Sequence, residues 1–328
     1  MLLLVACGPS AAPPPVSGVQ VAHGQALGTT WTVKWVGLAD DRPAVATQDA
    51  LALVDAAMST WRDDSELSRI RATEGPAEVS ESTYQVIAAA LGLAAKTGGA
   101  FDPTVQPLVE LWGFHGERRL TLPSEDELAA ARAVVGYQKV QLQGDEGFWV
   151  DSGGTALDLS AIAKGHAVDE VSVALAGLGL ANHMVEVGGE VRVSGSGPAG
   201  SGWRLGVDSP EDGLAPGEKL AAVVVLADRA LATSGNYRNS YVIDGMDIGH
   251  TLDPRTGRPA QSGVLSATVV AADCQTADGW ATALMVMGVH GLALVESEAD
   301  VDALLLLKST DGFTSRWSTG MSGYLTEE

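Results

Sequence analysis

Residues 157–193 read LDLSAIAKGHAVDEVSVALAGLGLANHMVEVGGEVRV, and their order decides the fold class. Leu157-Asp158-Leu159 leads into a helix expected over roughly 160–177, and His183 to Val193 reads as a strand, a Gly-Gly break and a second strand. Strands and helices mixed in this way, without strict alternation, favour an α+β architecture of mixed sheets and packed helices over a doubly wound parallel sheet.

The same reading extends in both directions. Val19 to Trp35 alternates in the manner of strands, and residues 49–61 place Leu51, Val54, Met58 and Trp61 at helical spacing with one face inward. Residues 83–97 repeat that pattern and stop at Gly98-Gly99, as a helix C-terminus does. Ser124 followed by Glu127 is a capping box opening a helix that ends at Gly136. Residues 138–151 read as two strands about a turn, and further strands are expected near 203–207, 220–227 and 264–271. Thr276 is expected to cap a helix ending at Gly288, and Val301 to Leu307 to close the fold as a buried strand.

Composition bounds the rest. At 328 residues, with 46% hydrophobic and 19% charged side chains, the chain can bury a full core, and no stretch approaches the ~20 uninterrupted apolar residues of a spanning helix. Lys+Arg 20 against Asp+Glu 41 gives a net charge of −21, which repels polyanions and argues against nucleic-acid binding. A phosphate-bearing ligand must therefore be held by local devices: backbone N–H groups, a metal, or one or two placed cations. Two cysteines, Cys7 and Cys274, make no disulfide framework and no cysteine-based metal site.

Residues 1–7, MLLLVAC, match the small-residue cleavage pattern of a bacterial lipoprotein signal, in which the cysteine is lipidated. The run is short and no Lys or Arg precedes it, which points to a start placed inside a longer signal. Residues 8–18, GPSAAPPPVSG, read as the tether between an anchored Cys7 and a folded body over 19–328. The expected location is the bacterial cell envelope, anchored by lipid and facing the periplasm or exterior.

Five segments could carry chemistry, and each has a plain structural alternative. In Thr97 to Gly113, Gly98-Gly99 lets backbone approach a ligand and Asp102-Pro103-Thr104 fixes a polar turn; a helix end and ordinary loop would look the same. Asp158 before a helix start, with Lys164 one turn on, can hold a ring edge and a phosphate, or can be a simple cap with lysine in solvent. The glycines of VEVGGEV admit a ligand or mark a β-bulge. Thr233-Ser234-Gly235 presents hydroxyls and amides, and His250 is a proton handler or a satisfied structural donor. Asp278 and Thr282, at i and i+4 on a helix, offer hard oxygens suited to magnesium, or are merely an exposed helix start.

Taken in order, LGTTW, WRDDSELSRI, GGAFDPTVQPL, LDLSAIAKGHAVD, VEVGGEV, ATSGNY, HTLDPRTG and ADGWATAL resemble the FAD:protein FMN transferase family, also called the ApbE family. The match runs from about residue 24 to the C-terminal region. The resemblance implies a duplicated-core, T-fold-like architecture and an enzyme that moves FMN from FAD to a threonine or serine hydroxyl of a target protein through a phosphoester. AMP is released, with Mg2+ present. It implies that Leu27, Trp61, Ala100, Phe101, Asp102, Asp158, Lys164 and Leu252 contact FAD. The Ala161 carbonyl, Asp278 and Thr282 would hold magnesium, and His250 and Asp278 would be catalytic. Leu27 replaces a methionine common in the family, His166 a tyrosine and Glu190 an aspartate. The implied partners are FAD, an acceptor protein from a membrane redox complex, and a membrane reached through Cys7. An FAD pyrophosphatase giving FMN and AMP, and a non-catalytic FAD-binding lipoprotein, are the alternative functions.

Overall fold

A computed structural model describes residues 18–326, apart from Glu117, 212–213, Pro216, 237–239, 244–245 and Asp311. The leader with Cys7, and the tether up to residue 17, lie outside the described residues.

The chain opens with the hairpin β1 (Val19–Ala26) and β2 (Thr29–Val36). Then come α1 (Arg42–Met58), α2 (Glu66–Ala72), the short β3 (Ala77–Glu78), α3 (Glu81–Lys96), α4 (Gln106–Leu111) and α5 (Glu125–Val134). Strands β4 (Gln141–Gln143) and β5 (Trp149–Asp151) precede α6 (Ala163–Gly177), which leads to the hairpin β6 (His183–Val187) and β7 (Glu190–Ser194). A second hairpin, β8 (Trp203–Asp208) and β9 (Leu220–Leu226), is followed by β10 (Arg229–Gly235). Two short hairpins come next, β11 (Ser240–Ile243) with β12 (Met246–Gly249) and β13 (Leu252–Asp253) with β14 (Arg258–Pro259). The chain finishes with β15 (Val264–Ala271), α7 (Cys274–Met287), α8 (Leu292–Val295), β16 (Val301–Ser309) and β17 (Gly312–Trp317).

Eight strands make one sheet in the order β1-β2-β6-β7-β10-β15-β16-β17, and each of its pairings is antiparallel. The order contains the same unit twice. Two strands, an intervening helical segment and two more strands give β1-β2-β6-β7, and the pattern recurs as β10-β15-β16-β17. The α+β class and the duplicated core are thus both visible in the topology.

Burial follows from strand alternation. Trp31, Val33 and Trp35 of β2, and Val185 and Val187 of β6, enter the main core with α1, α3, α6 and α7. Met184, Val191, Val193 and Leu231, from the other face, pack against the β8–β9 hairpin in a second cluster. Each fully buried Val or Leu side chain contributes about 1.5–3 kcal/mol. A third cluster, around Leu108, Trp112, Leu128, Ile248 and Leu252, supports the loops beside the sheet.

Several boundaries differ from the sequence expectations for identifiable reasons. Helix α1 begins at Arg42, where Pro43 sits comfortably in the first turn, and ends at Met58, so Trp61 lies beyond the helix and is 70% exposed rather than turned inward. Helix α6 starts at Ala163, because 158–162 is occupied by turns: Ser160 N–H donates to Asp158 Oδ1 (2.8 Å) and Ile162 N–H to the Leu159 carbonyl (2.9 Å). Asp273, not Thr276, caps α7; its Oδ1 accepts the Thr276 N–H at 2.8 Å. The ATSG segment is the end of the central strand β10, and a further edge strand, β17, follows β16. The helical run Cys274–Val295 is long and apolar enough to cross a membrane, yet most of it is buried against the sheet and α6.

Candidate functional site

The approach of α6 to α7 sets the site. A Cβ built on Gly165 would lie 2.3 Å from the Cys274 carbonyl oxygen and 2.8 Å from Asp278 Cβ, so only glycine permits this crossing. Gly165 donates its N–H to Asp278 Oδ2 at 3.0 Å, fixing a carboxylate that is only 2% exposed. The α7 N-terminus is secured from α6 as well: Asp169 accepts the N–H groups of Cys274 (3.0 Å) and Gln275 (2.9 Å) and pairs with Arg192 at 2.5 Å.

Lys164, in the first turn of α6, reaches Glu190 Oε1 at 2.5 Å and lies 3.8 Å from Asp278 Oδ1. Burial alone would pull the Lys164 ammonium down, but Asp278 and Glu190 outweigh it and hold the group above its ordinary value. Burial pushes the Glu190 carboxyl up to about 7, with Asp278 adding to the rise and Lys164 opposing it. Asp278 is likewise raised by burial, against the pull of Lys164 and the Gly165 N–H. Two buried carboxylates therefore share one ammonium.

These groups line a cleft of about 920 Å³. Of the residues singled out in the sequence, Trp61, Ala100, Phe101, Asp102, Asp158, Ala161, Lys164, His250, Leu252, Asp278 and Thr282 all line it. Leu27 does not. It occupies the β1–β2 turn with φ +51 beside Gly28 at φ +71, the two-residue loop with both φ positive that suits a twisted hairpin, and it packs against the main core.

The wall from 97 to 105 is fixed by its own hydrogen bonds. Helix α3 ends at Gly98 (φ +59) and Gly99 (φ +79). Asp102 then accepts from Thr104 N (2.8 Å), Thr104 Oγ1 (2.6 Å) and Tyr137 N (3.0 Å), yet burial still raises its carboxyl. Asp158 N donates to the Pro103 carbonyl at 2.8 Å, joining this wall to the α6 approach.

Gly188 and Gly189, at φ +63 and +104, form the tight turn between Val187 and Glu190, so the glycine pair is a hairpin turn bordering the cleft and not a bulge. At the mouth, Trp61 stacks on His115 with ring centroids 4.0 Å apart. Ser234, on β10, meets the Thr282 hydroxyl at 3.2 Å. Asp253 is spent on its turn, accepting from Arg255 N, Nε and Nη2.

Glu190, Ser234 and His115 were missed or only noticed in passing. Glu190 had a readable signal, an acid directly after Gly-Gly between two valine-rich strands. His115 had none.

Asp278 and Thr282 bring a carboxylate and a hydroxyl to the cleft that Ala161 also lines, and with a backbone carbonyl such hard oxygens fit a small divalent cation. Among the described residues, no group of three or more His, Cys, Asp or Glu side chains could hold a metal, so any cation here depends on hydroxyl and carbonyl oxygens too.

Comparison with known proteins shows the family of the chain. The sequence model of the ApbE family matches residues 27–305. The chain is 39% identical over 312 residues to an FAD:protein FMN transferase of Vibrio cholerae, covering 93% of this chain and 92% of that protein. It is 31% identical over 338 residues to the protein of the same description from Escherichia coli K12, covering 100% and 95%. Among solved structures, the flavin transferase ApbE from Vibrio cholerae superposes with TM-score 0.83 at 37% identity, over 95% of this chain and all of that one. The apo flavinyl transferase ApbE of Pseudomonas stutzeri gives 0.84 at 32% identity, over 97% and 100%.

Proposed function

The chain belongs to the ApbE family, and from that membership together with its cleft we infer that it is an FAD:protein FMN transferase. The observation that carries the reading is the Lys164–Glu190–Asp278 cluster, with Thr282 beside it, at the floor of a cleft large enough for a dinucleotide.

Transfer requires an acceptor hydroxyl oxygen to attack the FMN-side phosphorus of FAD in line with the bridging oxygen. A new O–P bond forms to the threonine or serine, the bond to the bridging oxygen breaks, and AMP leaves with that oxygen. We assign removal of the hydroxyl proton to His250, which lines the same cleft beside Phe114. Lys164 supplies positive charge for the diphosphate, and the Trp61 face supplies a stacking surface for a planar ring. The walls at Phe101, Asp102 and Leu252, with the hydroxyls of Thr233 and Ser234, orient the dinucleotide. Asp278, Thr282 and the Ala161 carbonyl would hold Mg2+, which when bound neutralises charge on the diphosphate.

Incubation with FAD, Mg2+ and a threonine-containing acceptor domain tests the assignment. A fluorescent acceptor band in a denaturing gel is expected, lost in Asp278→Ala. AMP released without labelled acceptor would make the protein a pyrophosphatase, and unchanged FAD would make it a binder.

The leader extends the proposal: MLLLVAC followed by the Pro/Ala tether supports lipid attachment at Cys7, placement in the cell envelope, and acceptors among membrane redox subunits. Metabolic labelling with a fatty-acid analogue, absent in Cys7→Ser, tests it.

A further inference from the structure

We propose that Glu190 is a second carboxylate ligand of the cation assigned to Asp278 and Thr282, with Oε1 held on Lys164 and Oε2 turned to the cation. The proposal rests on the transferase reading above.

Three observations carry it. Glu190 is 4% exposed, and its Oε2 has no hydrogen-bond partner among the described residues, although the same residue lines the cleft. A buried carboxylate oxygen left unpaired is costly and marks a missing partner.

The second observation is how the two acids divide their oxygens. Glu190 gives Oε1 to Lys164 at 2.5 Å, and Asp278 gives Oδ2 to the Gly165 N–H at 3.0 Å. That leaves Glu190 Oε2 unused and Asp278 Oδ1 at 3.8 Å from the ammonium, beyond hydrogen-bond reach. Because one nitrogen neighbours both acids, the two carboxylates lie close together. Two carboxylates and one ammonium leave a negative charge that a divalent cation would balance.

The third is the place of the free oxygen beside the hairpin tip. A Cβ on Gly188 would come 3.4 Å from Glu190 Oε2 and 2.9 Å from Thr29 Cγ2. Glycine at position 188 sets no side chain of its own against Oε2.

Mn2+ binding, followed by the loss of the free-ion EPR signal with and without FAD, tests the proposal on the full chain. Wild type is expected to bind Mn2+, Asp278→Asn to lose it, and Glu190→Gln to bind roughly tenfold or more weakly. Glu190→Asp, which restores the shorter acid, is expected to recover part of the loss. Lys164→Gln frees Glu190 from its ammonium and is expected to bind Mn2+ alone more tightly, with a larger Mn2+-dependent rise in unfolding temperature; this arm decides the matter if Glu190→Gln does not fold. Wild-type affinity in Glu190→Gln alongside a deficient Asp278→Asn would overturn the Glu190 assignment alone, as would weaker binding in Lys164→Gln. A wild-type protein that binds no Mn2+ even with FAD would overturn the cation site itself and Glu190 with it, whereas the transferase assay would still report on the reaction.

Discussion

Gly165 on α6 and Asp278 on α7 are joined by a backbone N–H donated to Oδ2 at 3.0 Å, at a crossing too close for any larger residue. Gly165→Ala would gain about 1 kcal/mol of helix propensity. Against that, its methyl would meet a backbone carbonyl at 2.3 Å, and overpacking of this kind costs ~1–3 kcal/mol or more as the helices separate. We expect a net loss of stability in urea unfolding and a transfer rate reduced well beyond the loss of folded protein, because Asp278 moves with α7. A variant at least as stable as wild type would contradict the crossing.

Trp61 offers a contrast. It is 70% exposed and held chiefly by its stack on His115, so its truncation removes little buried surface. Trp61→Ala is expected to change stability by no more than about 0.5 kcal/mol. FAD affinity should fall severalfold in fluorescence titration, with KM rising more than kcat falls.

Asp102 takes three hydrogen bonds in a buried loop. Asp102→Asn puts an amide donor against either the Tyr137 or the Thr104 N–H, and a loss of about 1–3 kcal/mol is expected for the group left unsatisfied. Calorimetry will read the loss, and FAD binding should weaken in step as the 97–105 wall relaxes.

The α5 capping box predicts a pH signature. Hydrogen bonds from Arg119 and from the Ser124 backbone hold the Glu127 carboxyl down at about 2, against an ordinary 4.5. A depressed acid stabilises the fold above its unfolded value, and that contribution disappears as pH falls through the folded one. The stability difference between wild type and Glu127→Gln should therefore be constant above pH 4.5 and shrink toward pH 2. A difference that grows on acidification would refute this origin.

The features legible in the sequence were those fixed by local chemistry. Ser124 and Glu127 form the capping box, α3 stops at Gly98-Gly99, and the alternation from Val19 to Trp35 gives the first hairpin. Strand β10 was hidden because Ala230 and Ala232 are small to suit a neighbouring helix, and Ser234-Gly235 imitates a loop. Trp61 satisfied a helical spacing by coincidence, since the helix ends three residues before it. At the site, eleven of the twelve residues singled out converge on one cleft, through motifs whose meaning came from their order along the chain. Leu27 stays apart because it sits in a hairpin turn and packs against the outside of the core. The sharing of Lys164 between two acids depends on a helix crossing more than a hundred residues apart in sequence, which no local pattern announces.

The repeated strand–helix–strand unit splits the site between its two copies. Lys164 and Glu190 come from one copy and Asp278 and Thr282 from the other, so neither copy alone owns the chemistry. Halves of the chain expressed apart would each carry an incomplete set of donors, so the pocket is whole only where both units meet in one polypeptide.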